Sequence, residues 1–223
     1  MESLFNLKDY TIADHVFFAT GCLLWVFTYI IVIRGIIKNK FVEIPLVAIC
    51  ANFAWEFLWS FVFKTNMGEL YVWGYRIWFA LDCYIVFGLF RYGVQQVSFQ
   101  ILKIHFRAIA ASCIGAWGVM LYYYIKIYDA PFTHMGANSG YVLNVMMSAL
   151  FITFYLRMDE PNRFSPYSAW FKGVGTILIT VFCFLHFTDG FLLSMCVVTG
   201  ILDVFYIALM YVKNSRLLAN SKQ

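Results

Sequence analysis

Seven stretches of this chain are each about twenty residues long and almost free of charge, which restricts the folds open to it more than anything else in the sequence. A hydrocarbon core of ~30 Å takes ~20 apolar residues of helix per crossing. The stretches run His15–Ile37, Phe41–Phe63, Leu70–Phe90, Phe106–Tyr128, Gly140–Leu156, Trp170–Phe187 and Gly190–Val212. The residues between them suffice only for short loops and two tails, so one domain covers residues 1–223. Hydrophobic residues make up 62% and charged residues 13%, against ~45–50% and ~25% in ordinary soluble domains. That balance excludes a soluble fold, and it excludes disorder as well. The expectation is an all-α, polytopic membrane protein built as a seven-helix bundle.

The bases give the bundle a direction. Arg34, Lys38 and Lys40 fall in the first connection, Arg91, Lys103 and Arg107 in the third, Arg157, Arg163 and Lys172 in the fifth, and Lys213, Arg216 and Lys222 in the tail. Only Lys8, Lys64 and Lys126 fall on the other side, and Arg76 lies within the third span. Twelve bases against three place the N-terminus outside and the C-terminus in the cytoplasm, which requires an odd number of spans. The net charge of +4 is therefore a topology signal, and it does not point to a nucleic-acid partner. The first span lacks a basic leader region, so it reads as a retained helix. Pro45, Pro131, Pro161 and Pro166 fall near helix starts or in loops, where proline does least harm.

All six cysteines (22, 50, 83, 113, 183, 196) lie within the spans without a CxxC pair, which suits small buried apolar residues better than disulfides or zinc. Phosphate-loop, dinucleotide, HExxH and GxSxG motifs are missing, and so are the DDxxD and DxDD motifs of soluble terpene synthases and cyclases.

Three acids lie deep in the spans: Glu56 in the second, Asp82 in the third and Asp203 in the seventh. An ionised side chain at the bilayer centre costs ~2.5–3.5 kcal/mol even on the mildest scale, and such residues usually face the bundle interior and mark a site. Structural pairings remain open: Asp82 with Arg76 as internal glue, and Asp203 with Tyr206 or Thr199. Residues four apart share a helix face. Asn52 thus lies one turn from Glu56, Trp55 one turn from Trp59, and Trp78 one turn from Asp82, while Thr199, Asp203 and Tyr206 form a stripe. At 1.5 Å per residue, Glu56 lies ~10 Å and Asp203 ~20 Å below the outer surface. Arg76 lies at roughly the depth of Glu56 and is its expected charge partner. If the second and seventh spans share a cavity, the two acids bracket a ligand ~10 Å long.

An apolar, aromatic pocket disfavours a charged carboxyl and keeps it protonated, as a general acid requires. Aromatic faces stabilise cations by ~0.5–2 kcal/mol each, and a water-poor pocket protects a reactive cation from quenching. Acid, aromatic lining and dryness are what carbocation cyclisation needs. Most of the aromatics are ordinary lipid-facing and interfacial residues. The functional reading is kept for those one turn from a buried acid.

The chain resembles the small transmembrane terpene cyclases of meroterpenoid biosynthesis, as in the fungal paxilline, pyripyropene and austinol pathways, with bacterial relatives. The resemblance is carried by Asn52-Phe53-Ala54-Trp55-Glu56, Trp78-Phe79-Ala80-Leu81-Asp82, Asn144-Val145-Met146-Met147-Ser148, Lys172-Gly173-Val174-Gly175-Thr176 and Gly200-Ile201-Leu202-Asp203, in that order on the second, third, fifth, sixth and seventh spans. It implies a metal-independent cyclase without a cofactor, which protonates the terminal epoxide or alkene of a prenyl chain, commonly on an aromatic or indole head group. It also implies that Glu56 and Asp203 match the essential acids, with Asp82 in support. Glu56 is expected to donate the initiating proton, and Asp203 to assist the acid or help take the terminal proton. Asn52, Trp55, Trp59, Arg76, Trp78, Asn144, Thr199 and Tyr206 are the expected substrate-binding set. The expected partners are the bilayer, of a bacterial inner membrane or an endoplasmic reticulum, and a hydrophobic prenylated substrate. The oligomeric state stays open.

The main alternative is a small-molecule or proton-coupled transporter in which the buried acids and Arg76 form a relay. The chain shows no repeated half and no pair of Gly/Pro-broken helices, the usual signs of a carrier site. A lipid-binding or receptor-like bundle and a membrane sterol-type isomerase are further alternatives. A retinal protein is disfavoured, because the seventh span carries no lysine at mid-membrane.

Overall fold

A computed structural model describes residues 3–158 and 160–220, and among these every regular element is helical. Helix α1 runs Ile12–Asn39, α2 Leu46–Phe57, α3 Glu69–Tyr92, the short α4 Gln100–Ile104, α5 Phe106–Tyr124, α6 Ala137–Arg157, α7 Pro166–His186 and α8 Gly190–Asn220. Two helices end in π turns: α2 continues through Leu58–Val62 and α5 through Ile125–Asp129.

Local chemistry explains the starts. Thr11 and Asp14 close a capping box on α1, satisfying two otherwise orphaned amides. Pro166 sits at the first position of α7, where its missing N–H costs nothing. The Asp189 carboxylate accepts from the amides of Phe191 and Leu192 at the start of α8.

Six described helices are long and apolar enough to cross a bilayer, and the second, Leu46–Val62, falls short of them. Its 17 residues span ~25 Å. The helix expected from Phe41 starts five residues later because Pro45 restricts the residue before it. The segment Phe41–Ile44 is instead buried without regular structure. Its backbone is satisfied by Gln96, whose amide donates to the carbonyls of Val42 and Ile44 while its oxygen accepts from the Leu46 amide. Glu43 reaches across to accept from the Ser165 amide at 2.7 Å.

The loops gather at two ends. At the upper end, where the described chain begins, Tyr10 donates to Asn66 and the Asn66 amide to the carbonyl of His134. At the lower end, Gln95 donates to the carbonyl of Lys40 and accepts from Arg163. Contacts around the bundle close a ring in the order α1, α3, α2, α6, α8, α7, and α5 packs outside it against α2. The closest approach in the ring is between α1 and α7. A Cβ at Gly21 would stand 2.7 Å from the carbonyl oxygen of Gly175, so small residues are needed there, as in membrane helix pairs generally.

The ring corrects one charge assignment. Lys172, counted with the fifth connection, lies inside α7 and is only 3% exposed. Lys222 lies outside the described residues, as do the side chains of Lys213 and Arg216.

Candidate active site

The ring encloses two cavities stacked along the bundle. The upper one is lined by Glu56, Asn52, Trp25, Trp55, Tyr75 and Trp78, with Asn144 and the start of α6 opposite. The lower one is lined by Asp82, Lys172, Tyr206, Thr28 and Phe151 among others. Trp25, Tyr29, Asn52 and Met147 border both.

Glu56 lies in the last turn of α2, just before the π turn, a kind of helix defect frequent at functional sites. It is 1% exposed. Its Oε1 accepts from the Tyr29 hydroxyl at 2.5 Å and from the Asn52 amide at 2.9 Å. Its Oε2 is buried without a hydrogen-bond partner. Among the described residues no base forms an ion pair with it. The Asn52 amide also lies 3.1 Å from Asp82 Oδ2 and 2.6 Å from the Tyr29 oxygen. The two buried carboxyls therefore meet at one amide.

Arg76 does not pair with either acid. It donates to the carbonyl of Ser60 and stacks over Trp73, with its guanidinium 4.8 Å from the ring centroid. It lines neither cavity, because its position in α3 turns it past the end of α2.

Asp203 has different company. Its Oδ1 accepts from Lys172 Nζ at 2.6 Å and from the Ser148 hydroxyl at 2.7 Å, and Lys172 also donates to Ser148. Carboxylate and ammonium are 4% and 3% exposed. The ammonium lies 5.5 Å from the Trp25 ring centroid and 6.0 Å from that of Phe151. Asp203 itself lines neither cavity, so the structure does not place the two acids on one pocket wall.

Aromatic rings stand edge to face down the upper cavity: Trp55 on Tyr75, and Tyr75 on Trp78. Trp55 is locked in place. Its indole N–H donates to Ser139 Oγ at 2.7 Å, and the Ser139 hydroxyl donates to the buried Asp129 carboxylate. That carboxylate also caps α6 through the amides of Ser139 and Asn138. Gly136, at φ +89°, enters α6 directly beneath the indoles, and a Cβ there would stand 2.8 Å from Trp59 and 2.9 Å from Trp55.

Of the residues singled out in the sequence, Asn52, Trp55, Glu56, Trp78 and Asn144 line the upper cavity, and Asp82 and Tyr206 the lower. Trp59 and Thr199 line neither. Trp59 packs behind Trp55 and Tyr75, and the Thr199 hydroxyl bonds back to the carbonyl of Met195 in its own helix. The site set expected from the sequence left out Tyr29, Ser139 and Asp129, and also Ser148 and Lys172, which stand in two of the motifs that carry the resemblance. Tyr29, four residues after Trp25 within an apolar span, carried the readable signal. Among the described residues no three His, Cys, Asp or Glu side chains gather as a metal site.

Comparison with known proteins agrees with this picture. A family model described as Pyr4-like transmembrane terpene cyclases matches residues 6–215. The Pyr4-family terpene cyclase mfmH of Annulohypoxylon moriforme is 23% identical over 196 residues, covering 82% of this chain and 79% of that protein. The terpene cyclase spyD of Aspergillus fumigatus is 29% identical over 84 residues, covering 37% of this chain and 34% of the relative. The terpene cyclase trt1 of Aspergillus terreus is 31% identical over 68 residues, covering 30% and 33%. No solved structure matches the chain. With a match from residue 6 to residue 215 of a 223-residue chain, this multi-pass membrane protein belongs to the Pyr4-like transmembrane terpene cyclase family.

Proposed function

We propose that the chain is a protonation-initiated, metal-independent terpene cyclase and that Glu56 is its acid. The observation that carries this reading is the division of labour between the two Glu56 oxygens. Oε1 takes both donors, as the carbonyl oxygen of a neutral carboxylic acid would, and Oε2 is left bare. Glu56 lines the upper cavity, and in this reading the proton sits on Oε2. With no cation beside it, the carboxyl has no partner to hold it ionised in apolar surroundings.

The substrate is a prenyl chain, of farnesyl length in this reading, carried on a meroterpenoid-type head group and bearing a terminal epoxide or alkene. Folded into the upper cavity, it presents that terminus to Oε2. Proton transfer opens the epoxide or alkene and leaves a carbocation, which the internal double bonds attack in turn. Trp25, Trp55, Tyr75 and Trp78 offer ring faces worth ~0.5–2 kcal/mol each to the migrating charge. Asn144, whose Oδ1 is buried without a partner, is suited to a hydroxyl of the substrate. Loss of a proton from the last cation ends the sequence, so substrate and product are isomers. Asp203 acts through Lys172: it keeps the ammonium paired beside the lower cavity.

Leu46–Val62, extended by the buried Phe41–Pro45 segment, supplies the seventh crossing in this reading. With bases concentrated at the lower end, the N-terminus lies outside and the upper cavity belongs to the outer half of the membrane. A transporter reading is not favoured, given membership of a cyclase family.

The test is direct. The protein purified in detergent and given a farnesylated aromatic or its terminal epoxide should form a cyclic product of unchanged mass, with a chelator present. Transport of an unaltered solute by proteoliposomes, with no isomer formed, would contradict the proposal.

A further inference from the structure

Every turnover leaves the acid one proton short, and the surroundings of Glu56 contain a path by which a proton can return. The Tyr29 hydroxyl donates to Glu56 Oε1 at 2.5 Å, and Tyr29 borders both cavities. Asp82 lies on the lower cavity, away from the upper one. The Tyr29 oxygen, Glu56 Oε1 and Asp82 Oδ2 all lie within 3.1 Å of the Asn52 amide nitrogen. That amide has two hydrogens for three oxygens, so the group has a slack donor position. Tyr29 and Asp82 both line the lower cavity, and their oxygens, held by one amide nitrogen, stand no more than about 6 Å apart, the span of one water that makes a hydrogen bond to each.

We propose that Tyr29 and Asp82, bridged by water in the lower cavity, form the proton-return path of this enzyme. The inference rests on Glu56 being the acid. Glu56 Oε2–H gives its proton to the substrate and becomes a carboxylate. Tyr29 passes its hydroxyl proton to Glu56 Oε1 and takes one from the bridging water, which takes one from the Asp82 carboxyl. A half-turn of the Glu56 carboxyl then returns the O–H to the cavity side. The proton shed by the final cation passes to the lower-cavity water and restores Asp82, so the cycle consumes none. Asn52 holds the three oxygens together without carrying a proton itself.

This path can be tested without turnover. Infrared spectra of the full chain in detergent give the carboxylic C=O band of protonated Glu56, identified by its loss in Glu56→Gln. On mixing into D2O the band shifts at the rate at which that proton exchanges. In Tyr29→Phe and Asp82→Asn the band should persist and exchange should slow by about a hundredfold, the lower end of what a positioned proton-transfer group contributes. Cys83→Ser, an exposed neighbour of Asp82 on α3, should exchange as the parent does. Two variants guard against the misfolding of one, and helix content by circular dichroism checks both. Unchanged exchange in the folded variants would overturn the path and leave the acid intact. A parent protein with no band that Glu56→Gln removes would overturn the acid reading, and the path with it.

Discussion

Glu56 and Asp203 are both buried carboxyls of one helical ring, and they differ in what surrounds them. Asp203 has an ammonium at 2.6 Å and a serine hydroxyl at 2.7 Å. Glu56 has a phenol and an amide, and no ion pair. The nearest partner of the first is a cation. Both carboxyls take their donors on one oxygen and leave the other bare, but the donors of the second are neutral. Residue type and burial do not tell the two acids apart; the charge of the nearest partner does. It also separates two jobs that look interchangeable in the sequence: one acid faces a cavity, and the other holds a base beside one.

The largest effect on stability should come from breaking the ion pair on one side. Asp203→Asn leaves the Lys172 ammonium buried without its counter-ion, which costs about 3–5 kcal/mol. Thermal unfolding in detergent should then fall by roughly 10 °C. Replacing both partners together, Lys172→Met with Asp203→Leu, should recover most of that loss, because an apolar pair of similar volume is often neutral or better. If the single and double variants were equally unstable, the pair would not be the source of the effect.

A smaller effect sharpens the cavity side of the comparison. Ser139→Ala strands the buried Trp55 N–H, at a cost of about 1–3 kcal/mol. With the indole no longer pinned, the product distribution should broaden toward early-quenched or partly cyclised isomers, read by chromatography. An unchanged single product would show that the Asp129–Ser139–Trp55 chain does not shape the reaction.

The legible and illegible parts of this molecule divide along physical lines. Apolar length gave the helices to within a few residues, except at the end of α8, which runs on to Asn220, and at Phe41–Pro45, where a glutamine fifty residues away satisfies a non-helical backbone. Four-residue spacing gave the Asn52–Glu56 contact, because both residues lie on one helix. Contacts between helices were out of reach. Tyr29 meets Glu56 across 27 positions, and Lys172 meets Asp203 across 31. Arg76, matched to Glu56 by depth, turns to Ser60 instead. Depth places a residue along the membrane normal but leaves its rotation about the helix axis undetermined. Lys172 lay within the apolar Trp170–Phe187 run, a sign that it belongs to a span, whereas the charge count treated it as a loop base.

The central claim is that Glu56 is the protonated donor of the upper cavity. Glu56→Gln keeps the shape and both contacts of Oε1 but removes the acidic proton. Measured on a farnesylated aromatic or its epoxide, its turnover should fall by about 10²–10⁴-fold, while helix content and substrate binding persist. Turnover close to that of the parent in a folded, substrate-binding variant would contradict the account.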